Sequence, residues 1–317
     1  VRFDKGEAMK VVSLLYNFTN HDAMYFFKEK GLNSIIREDN KVFPNTFKAI
    51  DVLNILIDCV NHTEMLFNTS AEKVSYDESK KVFYVKTDTA NFTCRNLIIA
   101  AGGKSYPNTG STGDGYKFAK SLGHSIVDPK PALTPVYVED YRFKELSGIS
   151  FEDIKISLFK NNKKVKEFTG DFLFTHVNIS GPVIINYSRY MDAGDILKVN
   201  FTSFNEDEFR VYFENLILSS SKLSVKTALK QLSLPKRFVE KILEISDVDE
   251  NLSCSLLSKS SRKYLIELFS AYSMKIKKLG DYNIAMSTKG GVSTDEINRK
   301  TMESKKIPRL YFAGEIL

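Results

Sequence analysis

The chain has 317 residues, 43% hydrophobic and 26% charged, with a formal net charge of +6. This length allows two or three domains with a substantial core, and the composition is typical of a soluble globular protein. No apolar run approaches the roughly 20 residues of a membrane span, and the polar start is not a secretory signal, so we expect a cytoplasmic protein without a membrane partner.

The basic residues and the cysteines predict no nucleic-acid or metal site. Lysines are scattered through every segment without a compact basic run, so we expect solubility and some attraction for anions, and no nucleic-acid partner. Cys59, Cys94 and Cys254 lie far apart in apolar segments. This spacing favours reduced, buried thiols over a metal site or a redox pair.

The first ninety-five residues predict two helices and then a small antiparallel sheet. An amphipathic pattern predicts a helix over 21–30, and a second helix follows Pro44 with an apolar stripe that we expect to face a core. Three strand-like segments come next, SAEKVSY, KVFYVKT and NFTC, and predict a meander. The order of helix, meander and strand is that of an α/β nucleotide-binding domain.

The most informative pattern lies at residues 96–123, which read NLIIAAGGKSYPNTGSTGDGYKFAKSLG. The apolar run from Leu97 to Ala101 predicts a parallel strand covered on both faces. Gly102 and Gly103 end this strand, and because they lack Cβ atoms, a nucleotide cofactor could approach the main chain closely there. The fragment GGKS lacks the earlier glycine of a P-loop, which argues against a nucleotide triphosphatase.

A helix should follow this junction, capped by Ser111 or Thr112 and stopped by Gly123 in a left-handed conformation. Asp114 in its first turn would repel a pyrophosphate, so hydroxyl groups or a structural turn are the expected partners of this helix end. We interpret His124 as a cation favoured by the helix dipole. The residues expected on the apolar face are Tyr116, Ala119 and Leu122.

The rest of the chain changes character three times, which gives the predicted domains. After residues 1–131, short strands over 132–204 predict a β-rich domain containing one helix, with Ser180 as its cap and Pro182 in its first turn. Residues 205–272 read as a helical bundle inserted into it, and 273–317 return to strands and turns. A second strand and glycine junction occurs there, with LYFA followed by Gly314. Two such junctions can line one ligand if their strands are neighbours in a sheet.

The motifs AAGGKSYPNTGSTGDGYKFAKSLGH, FTHVNISGP, STKGGVSTDEI, TMESK and LYFAGE occur in this order. Together they resemble the FAD-dependent flavoproteins known as BaiN-like NAD(P)/FAD-dependent oxidoreductases, or the aminoacetone-oxidase family, over nearly the whole chain. The resemblance implies an α/β fold with a glutathione-reductase-like FAD-binding domain, interrupted by a β-rich insert that carries helices. It also implies FAD as cofactor, with NAD(P)H as the reductant and a small molecule as the substrate.

The resemblance also assigns residues to the cofactor. Those placed along FAD are Ala71, Ala101, Gly102, Gly103, Gly314 and Glu315. Those placed around the space above the isoalloxazine ring are His176, Asn178, Ser180, Gly181, Lys289, Gly290 and Gly291. The catalytic candidates are His176 and Lys289, and Lys289 would stabilise the reduced flavin. The alternatives from the residues alone are a hydrogen-bonded core histidine, a solvated loop lysine and a capping role for Glu315.

The sequence departs from the family pattern in four places. It contains no Gly-x-Gly-x-x-Gly turn, and it stops at Leu317, so it resembles a member clipped at both ends. Ala101 stands where threonine is common, and Arg309 where glycine is common. Two hypotheses therefore remain open: a flavoenzyme that transfers hydride between NAD(P)H and a small acceptor, or a non-catalytic or partner-dependent relative that no longer binds FAD competently.

Overall fold

The computed structural model describes residues 18–38 and 40–317. The chain divides into two compact units. Among the described residues, unit 1 comprises 18–38, 40–102, 114–127 and 291–317, and unit 2 comprises 103–113 and 128–290. Residues 1–17, which the sequence analysis assigned to the FAD-binding domain, lie outside the described residues. The predicted domain boundaries at 131, 204 and 272 stay a prediction.

Unit 1 contains three helices and seven strands among its described residues, and two further strands lead between the units. The helices are α1 (Asn20–Glu29), α2 (Ala49–Cys59) and α3 (Asp114–Ser121). The strands are β1 (Ser34–Ile36), β2 (Val42–Pro44), β3 (Ala71–Asp77), β4 (Val82–Thr87), β5 (Asn91–Cys94), β6 (Leu97–Ile99) and β15 (Leu310–Phe312). The strands leading between the units are β7 (Ile126–Ala132) and β14 (Ser287–Val292).

The core of unit 1 lies between the meander, α3 and the two central strands. β3, β4 and β5 form the predicted antiparallel meander, and β6 pairs in parallel with β15. The buried apolar residues include Val74, Phe83, Ile99, Tyr116, Ala119, Leu122, Leu310, Phe312 and Ile316. The predicted inner face of α3 is therefore confirmed, and so is its stop, because Gly123 has φ 84°.

Two burial predictions for unit 1 are wrong. The apolar stripe of α2 is exposed, and β2, the strand in contact with this helix, has only three residues. Ile98 is 64% exposed, so β6 is covered on one face only within the described residues. In this pair of strands the alternation of side chains sends Ile99 into the core and Ile98 outward.

Unit 2 is built on a closed six-stranded barrel. Its strands are β8 (Val136–Val138), β9 (Ser150–Lys160), β10 (Lys163–Phe174), β11 (Ile179–Ser180), β12 (Ile196–Asn200) and β13 (Tyr272–Leu279). Around the barrel they follow the order β10, β11, β8, β13, β12, β9. The helices of the unit are α4 (Pro182–Tyr187), α5 (Glu206–Ser219), α6 (Val225–Leu229), α7 (Lys236–Ile245) and α8 (Lys259–Ser270). The mixed α/β class is thus confirmed.

Three details of unit 2 differ from the sequence-based expectation. The segments KKVKEFTG and DFLFTHV contribute to one strand, β10, which continues through Gly170 at φ 153° with a register shift against β9 between Gly170 and Phe172. The residue that caps α4 is Gly181, with φ 94°, while Ser180 belongs to β11. The predicted last helix ends at Ser270. Tyr272 begins the barrel strand β13, in which Met274 and Ile276 are buried and the residues between and beside them are exposed.

The three thiols differ in their exposure. Cys254 is buried, Cys94 is half-buried and Cys59 is exposed, so the prediction of buried thiols holds for one of the three. All three are free, and no group of metal-ligating side chains occurs among residues 18–38 and 40–317. In the same residues, no helix combines the length and the apolar character needed to cross a bilayer.

Candidate functional site

The two strand and glycine junctions of unit 1 lie side by side. Leu310, Tyr311 and Phe312 pair with Leu97, Ile98 and Ile99, and the amide of Ala313 donates to the carbonyl of Ile99 at 3.2 Å. Since the two strands are parallel, their carboxyl ends meet at one edge of the sheet. The condition under which the two junctions could line one ligand, that their strands are neighbours in one sheet, is therefore met.

Both junctions leave the sheet in backbone conformations that suit glycine. Gly102 has φ 72° and Gly314 has φ 80°. A Cβ atom on Gly314 would meet nothing within 4 Å, so the space beside this residue is open. Ala101 and Gly314 are exposed, while Gly102 and Glu315 are half-buried. This sheet edge can therefore present main-chain groups to an extended ligand.

Gly115 brings α3 against both junctions, a role that the sequence analysis missed. A Cβ atom at Gly115 would lie 2.6 Å from Cδ1 of Ile316 and 3.0 Å from Cβ of Ala101. Close packing of helix on strand is the task of the third glycine in a dinucleotide-binding turn. The motif GDGY could have indicated this close packing, because it places a glycine within the first turn of the helix.

The first turn of α3 already carries a negative charge. The carboxylate of Asp114 accepts a bond from Nζ of Lys117 at 2.9 Å, and both side chains are exposed. The ammonium group of Lys117 partly offsets this charge, so the argument that Asp114 disfavours a pyrophosphate at the helix start stays a prediction. The edge formed by β6 and β15 is the better candidate for contact with a cofactor in unit 1.

His124, which follows the end of α3, contacts the segment that precedes β15. Its Nε2 lies 2.8 Å from Oγ of Ser304, and its ring packs edge-on against Phe312 with centroids 4.9 Å apart. Burial lowers the pKa of His124. The interpretation as a helix-end cation is therefore wrong, because a buried imidazole is favoured in its neutral form.

Ala71 and Arg309, two positions of unit 1 that the family resemblance singled out, lie in a strand and in a turn. Ala71 is exposed at the start of β3, opposite Thr87 of β4. Arg309 adopts φ 64°, the left-handed conformation that a glycine would adopt without strain, and its amide donates to Oε1 of Glu303 at 2.6 Å. Arginine thus adopts here the left-handed conformation that glycine adopts without strain.

In unit 2, Thr288 holds the backbone that follows Gly103. Its Oγ1 accepts the amides of Lys104 at 2.8 Å and Ser105 at 3.1 Å, and it lies 3.1 Å from Oγ of Ser105. Gly103, Ser105 and Thr288 are all buried. A single hydroxyl group thus ties together two segments that are more than 180 residues apart in sequence.

Lys289 follows Thr288 in β14 and is half-buried. Its Nζ donates to the carbonyl of Arg189 at 2.6 Å, and burial lowers its pKa, partly opposed by the charge of Asp192. Asp192 accepts bonds from Lys130 at 2.9 Å and Lys160 at 2.7 Å, and these hold its pKa at about 2 despite partial burial. Across the described ranges, Lys289 forms no ion pair, so its charge is available to an anionic ligand.

His176 lies in an exposed turn between β10 and β11, so the alternative of a core histidine is wrong. The turn is held by Thr175 and Asn178, since the hydroxyl of Thr175 donates to the carbonyl of Asn178 at 2.7 Å and accepts its amide at 3.0 Å. Oδ1 of Asn178 also accepts the amide of Val138 at 2.8 Å. This turn positions His176 at the surface without burying its imidazole.

Replacement of Lys289 by methionine is expected to stabilise the protein by about 0.5 kcal/mol at neutral pH, because the folded state no longer desolvates an ammonium group. The gain should shrink as the pH rises towards the ordinary lysine pKa of 10.5, where the unfolded chain also loses its proton. Urea unfolding at neutral and alkaline pH measures this, with Lys263→Met, an exposed lysine of the same unit, as the control. Equal effects of the two variants would contradict the assignment.

Comparison with known proteins agrees with the fold and the motifs. Residues 3–317 match the family model described as "HI0933-like protein Rossmann domain". Since this match covers nearly the whole chain, the protein belongs to the HI0933-like family. This is a family of FAD-binding, oxidoreductase-like Rossmann proteins, and it includes the BaiN-like proteins that the sequence motifs resemble.

Three relatives of known activity are similar over most of their length. The ribosomal RNA dihydrouridine synthase of Haemophilus influenzae is 30% identical over 313 residues, which are 97% of this chain and 76% of the relative. The enzyme of the same name from Escherichia coli K12 is 25% identical, covering 96% and 74%. The 3-dehydro-bile acid delta(4,6)-reductase of Clostridium scindens is 26% identical, covering 96% and 76%.

Proposed function

We propose that this protein is an FAD-dependent reductase that uses NAD(P)H to reduce a carbon–carbon double bond conjugated with a carbonyl group. The names of the relatives support this reaction. Dihydrouridine is uridine with its conjugated ring double bond reduced, and a delta(4,6)-reductase acts on ring double bonds of a dehydro-bile acid. The two substrates differ in size and charge, but the reduction of a ring double bond is common to both names.

The observation that carries the proposal is the pairing of β6 with β15. It brings the junctions at Ala101–Gly102 and Gly314–Glu315 to one sheet edge with open space beside Gly314. The residues at this edge fit a cofactor that needs main-chain contacts, because no Cβ atom at Gly102 or Gly314 holds the ligand away. An FAD held at this edge would supply hydride transfer between NAD(P)H and the substrate.

The chain's own residues then bind and orient the cofactor and supply charge. In unit 1, Ala101, Gly102, Gly314 and Glu315 would contact FAD through their backbone and the Glu315 carboxylate. In unit 2, Lys289 offers a cation without a carboxylate partner among the described residues, which would favour negative charge on a reduced ligand. Hydride transfer requires no protein nucleophile, which agrees with the lack of a Ser/His/Asp signature in the sequence.

A second candidate substrate is a uridine in ribosomal RNA. Two relatives, including the one at 30% identity, are named for this substrate, which conflicts with our expectation that nucleic acid is not a partner. That expectation stays a prediction. The small-molecule substrate and the RNA substrate share the same bond chemistry, so they are distinguished by activity and not by cofactor content.

The test begins with the colour of the purified protein. We expect flavin absorbance bands, FAD released on denaturation, and bleaching of the bands by NADH or NADPH under anaerobic conditions. Colourless protein that takes up no added FAD would instead support the alternative of a relative that no longer binds FAD competently. Reoxidation is then followed with three acceptors: cyclohexenone, an unsaturated 3-oxo steroid and unmodified ribosomal RNA. Bleaching without reoxidation by any of them would refute the proposed reaction.

A further inference from the structure

Tyr106 is held in a backbone conformation that tyrosine disfavours. Its φ is 54° and its ψ is 60°, in the left-handed region, where a Cβ atom crowds the following carbonyl oxygen. The residue comes three positions after Gly103, in the segment 103–113 of unit 2. Backbone strain of this kind persists only where the surrounding structure enforces it, and it is concentrated at functional sites.

The surrounding structure does enforce it. Thr288 fixes the two preceding amides, as described above, and the amide of Tyr106 itself donates to the carbonyl of Tyr282 at 2.9 Å. The carbonyl of Tyr106 accepts both the amide of Thr109 at 2.9 Å and its hydroxyl at 2.8 Å. Pro107 then fixes φ at the next position. The backbone is therefore anchored before, at and after Tyr106.

The residue leaves about half of its surface exposed in unit 2. Tyr106 is 47% exposed, and across the described ranges its hydroxyl forms no hydrogen bond. The neighbouring Tyr282 differs, because Nζ of Lys104 lies 4.8 Å over its ring centroid and its hydroxyl bonds to the carbonyl of Pro129 at 2.5 Å. Phe47 of unit 1 also has a left-handed φ and an exposed ring, but its amide bonds within its own turn, to Pro44. Tyr106 thus combines a backbone fixed by hydrogen bonds with a partly exposed aromatic ring.

We propose that the ring of Tyr106 is the surface on which the planar conjugated ring of the substrate stacks. This inference rests on the proposed function, whose substrates are flat unsaturated rings conjugated with a carbonyl group. Such rings prefer offset stacking on an aromatic side chain, and the contact needs a ring whose position is fixed in advance. The hydrogen bonds around 104–109 supply that fixed position.

The test compares Tyr106→Phe and Tyr106→Ala with the wild-type protein, using whichever of the three acceptors reoxidises it. Tyr106→Ala is expected to raise the acceptor KM about tenfold, since the stacking surface is lost, while the rate of flavin reduction by NAD(P)H stays unchanged. Tyr106→Phe keeps the ring and should keep the wild-type KM. Tyr264→Ala, which removes an equally exposed ring of the same unit, is the matched control and should change neither value.

A stability measurement separates this role from a structural one without any ligand. Tyr106→Gly is expected to raise the Tm, because glycine adopts the left-handed conformation without strain. A lower Tm for Tyr106→Gly and for Tyr106→Ala would show that the side chain supports the fold, and would overturn the inference. An unchanged KM in Tyr106→Ala would overturn the inference alone, whereas a wild-type protein that binds no flavin overturns the proposed function as well.

Discussion

Replacement of Gly291 by alanine is expected to destabilise unit 1 by about 3 kcal/mol. A Cβ atom at this position would lie 2.4 Å from the carbonyl oxygen of Ile316 and 3.1 Å from the carbonyl carbon of the same residue. Those atoms belong to the backbone, and the same carbonyl accepts the amide of Val292 at 2.9 Å, so it cannot move without breaking that bond. The φ of Gly291, 126°, adds strain for any residue with a side chain.

The control for this variant is Gly123→Ala in the same unit. Gly123 also has a left-handed φ, 84°, but a Cβ atom there would meet nothing within 4 Å. The Gly123→Ala substitution should therefore lower the free energy of unfolding only through conformational strain, by about 1 kcal/mol. Urea unfolding followed by circular dichroism measures both variants, and equal losses for the two would contradict the close approach of Gly291 to Ile316.

Truncation of Phe174 to alanine is expected to destabilise unit 2 by about 4 kcal/mol. The ring is fully buried at the end of β10, stacked on Phe143 with centroids 4.5 Å apart and edge-on to Phe172 at 4.9 Å. Its removal leaves a cavity inside an aromatic cluster that also includes Phe151, Phe201 and Phe238. The turn that carries His176 begins directly after this residue, so its order should decrease as well.

Phe174→Leu keeps most of the buried apolar volume and should lose less than half as much stability. Thermal unfolding of the two variants, with near-ultraviolet circular dichroism as the probe of aromatic packing, distinguishes the cavity from a general effect of substitution. A loss below about 1 kcal/mol for Phe174→Ala would mean that this ring is not part of the packed barrel core.

Local patterns in the sequence predicted the elements that surround the candidate site. The apolar run before Gly102, the helix face of α3 and its stop at Gly123 follow from spacing and backbone preference within about 25 residues. The pairing of β6 with β15 did not follow from the sequence, which indicated only that two strands ending in glycine could line one ligand if they were neighbours in a sheet. Whether Gly102, Gly314 and the other assigned residues contact FAD stays a prediction.

Contacts between distant segments could not be predicted in this way. Nothing in the sequence near Lys104 indicates that Thr288 accepts its amide, and nothing near Gly115 indicates Ile316. Burial was predicted wrongly for the same reason. The stripe on α2 has helical periodicity, but periodicity shows which residues share a face and not what covers that face. His124 carries a pattern typical of a helix-end cation, and only its contacts with Ser304 and Phe312 show that it is buried.

The central claim is that the sheet edge formed by β6 and β15 binds FAD, and the affinity of Gly314→Ala for FAD tests it most directly. Gly31→Ala is the matched control, because Gly31 and Gly314 have φ 88° and 80° and both have open space at the Cβ position. Strain should therefore lower the Tm equally in both variants. We expect Gly314→Ala to raise the dissociation constant of FAD about tenfold or more and Gly31→Ala to leave it unchanged. Wild-type affinity for FAD in Gly314→Ala would contradict the account.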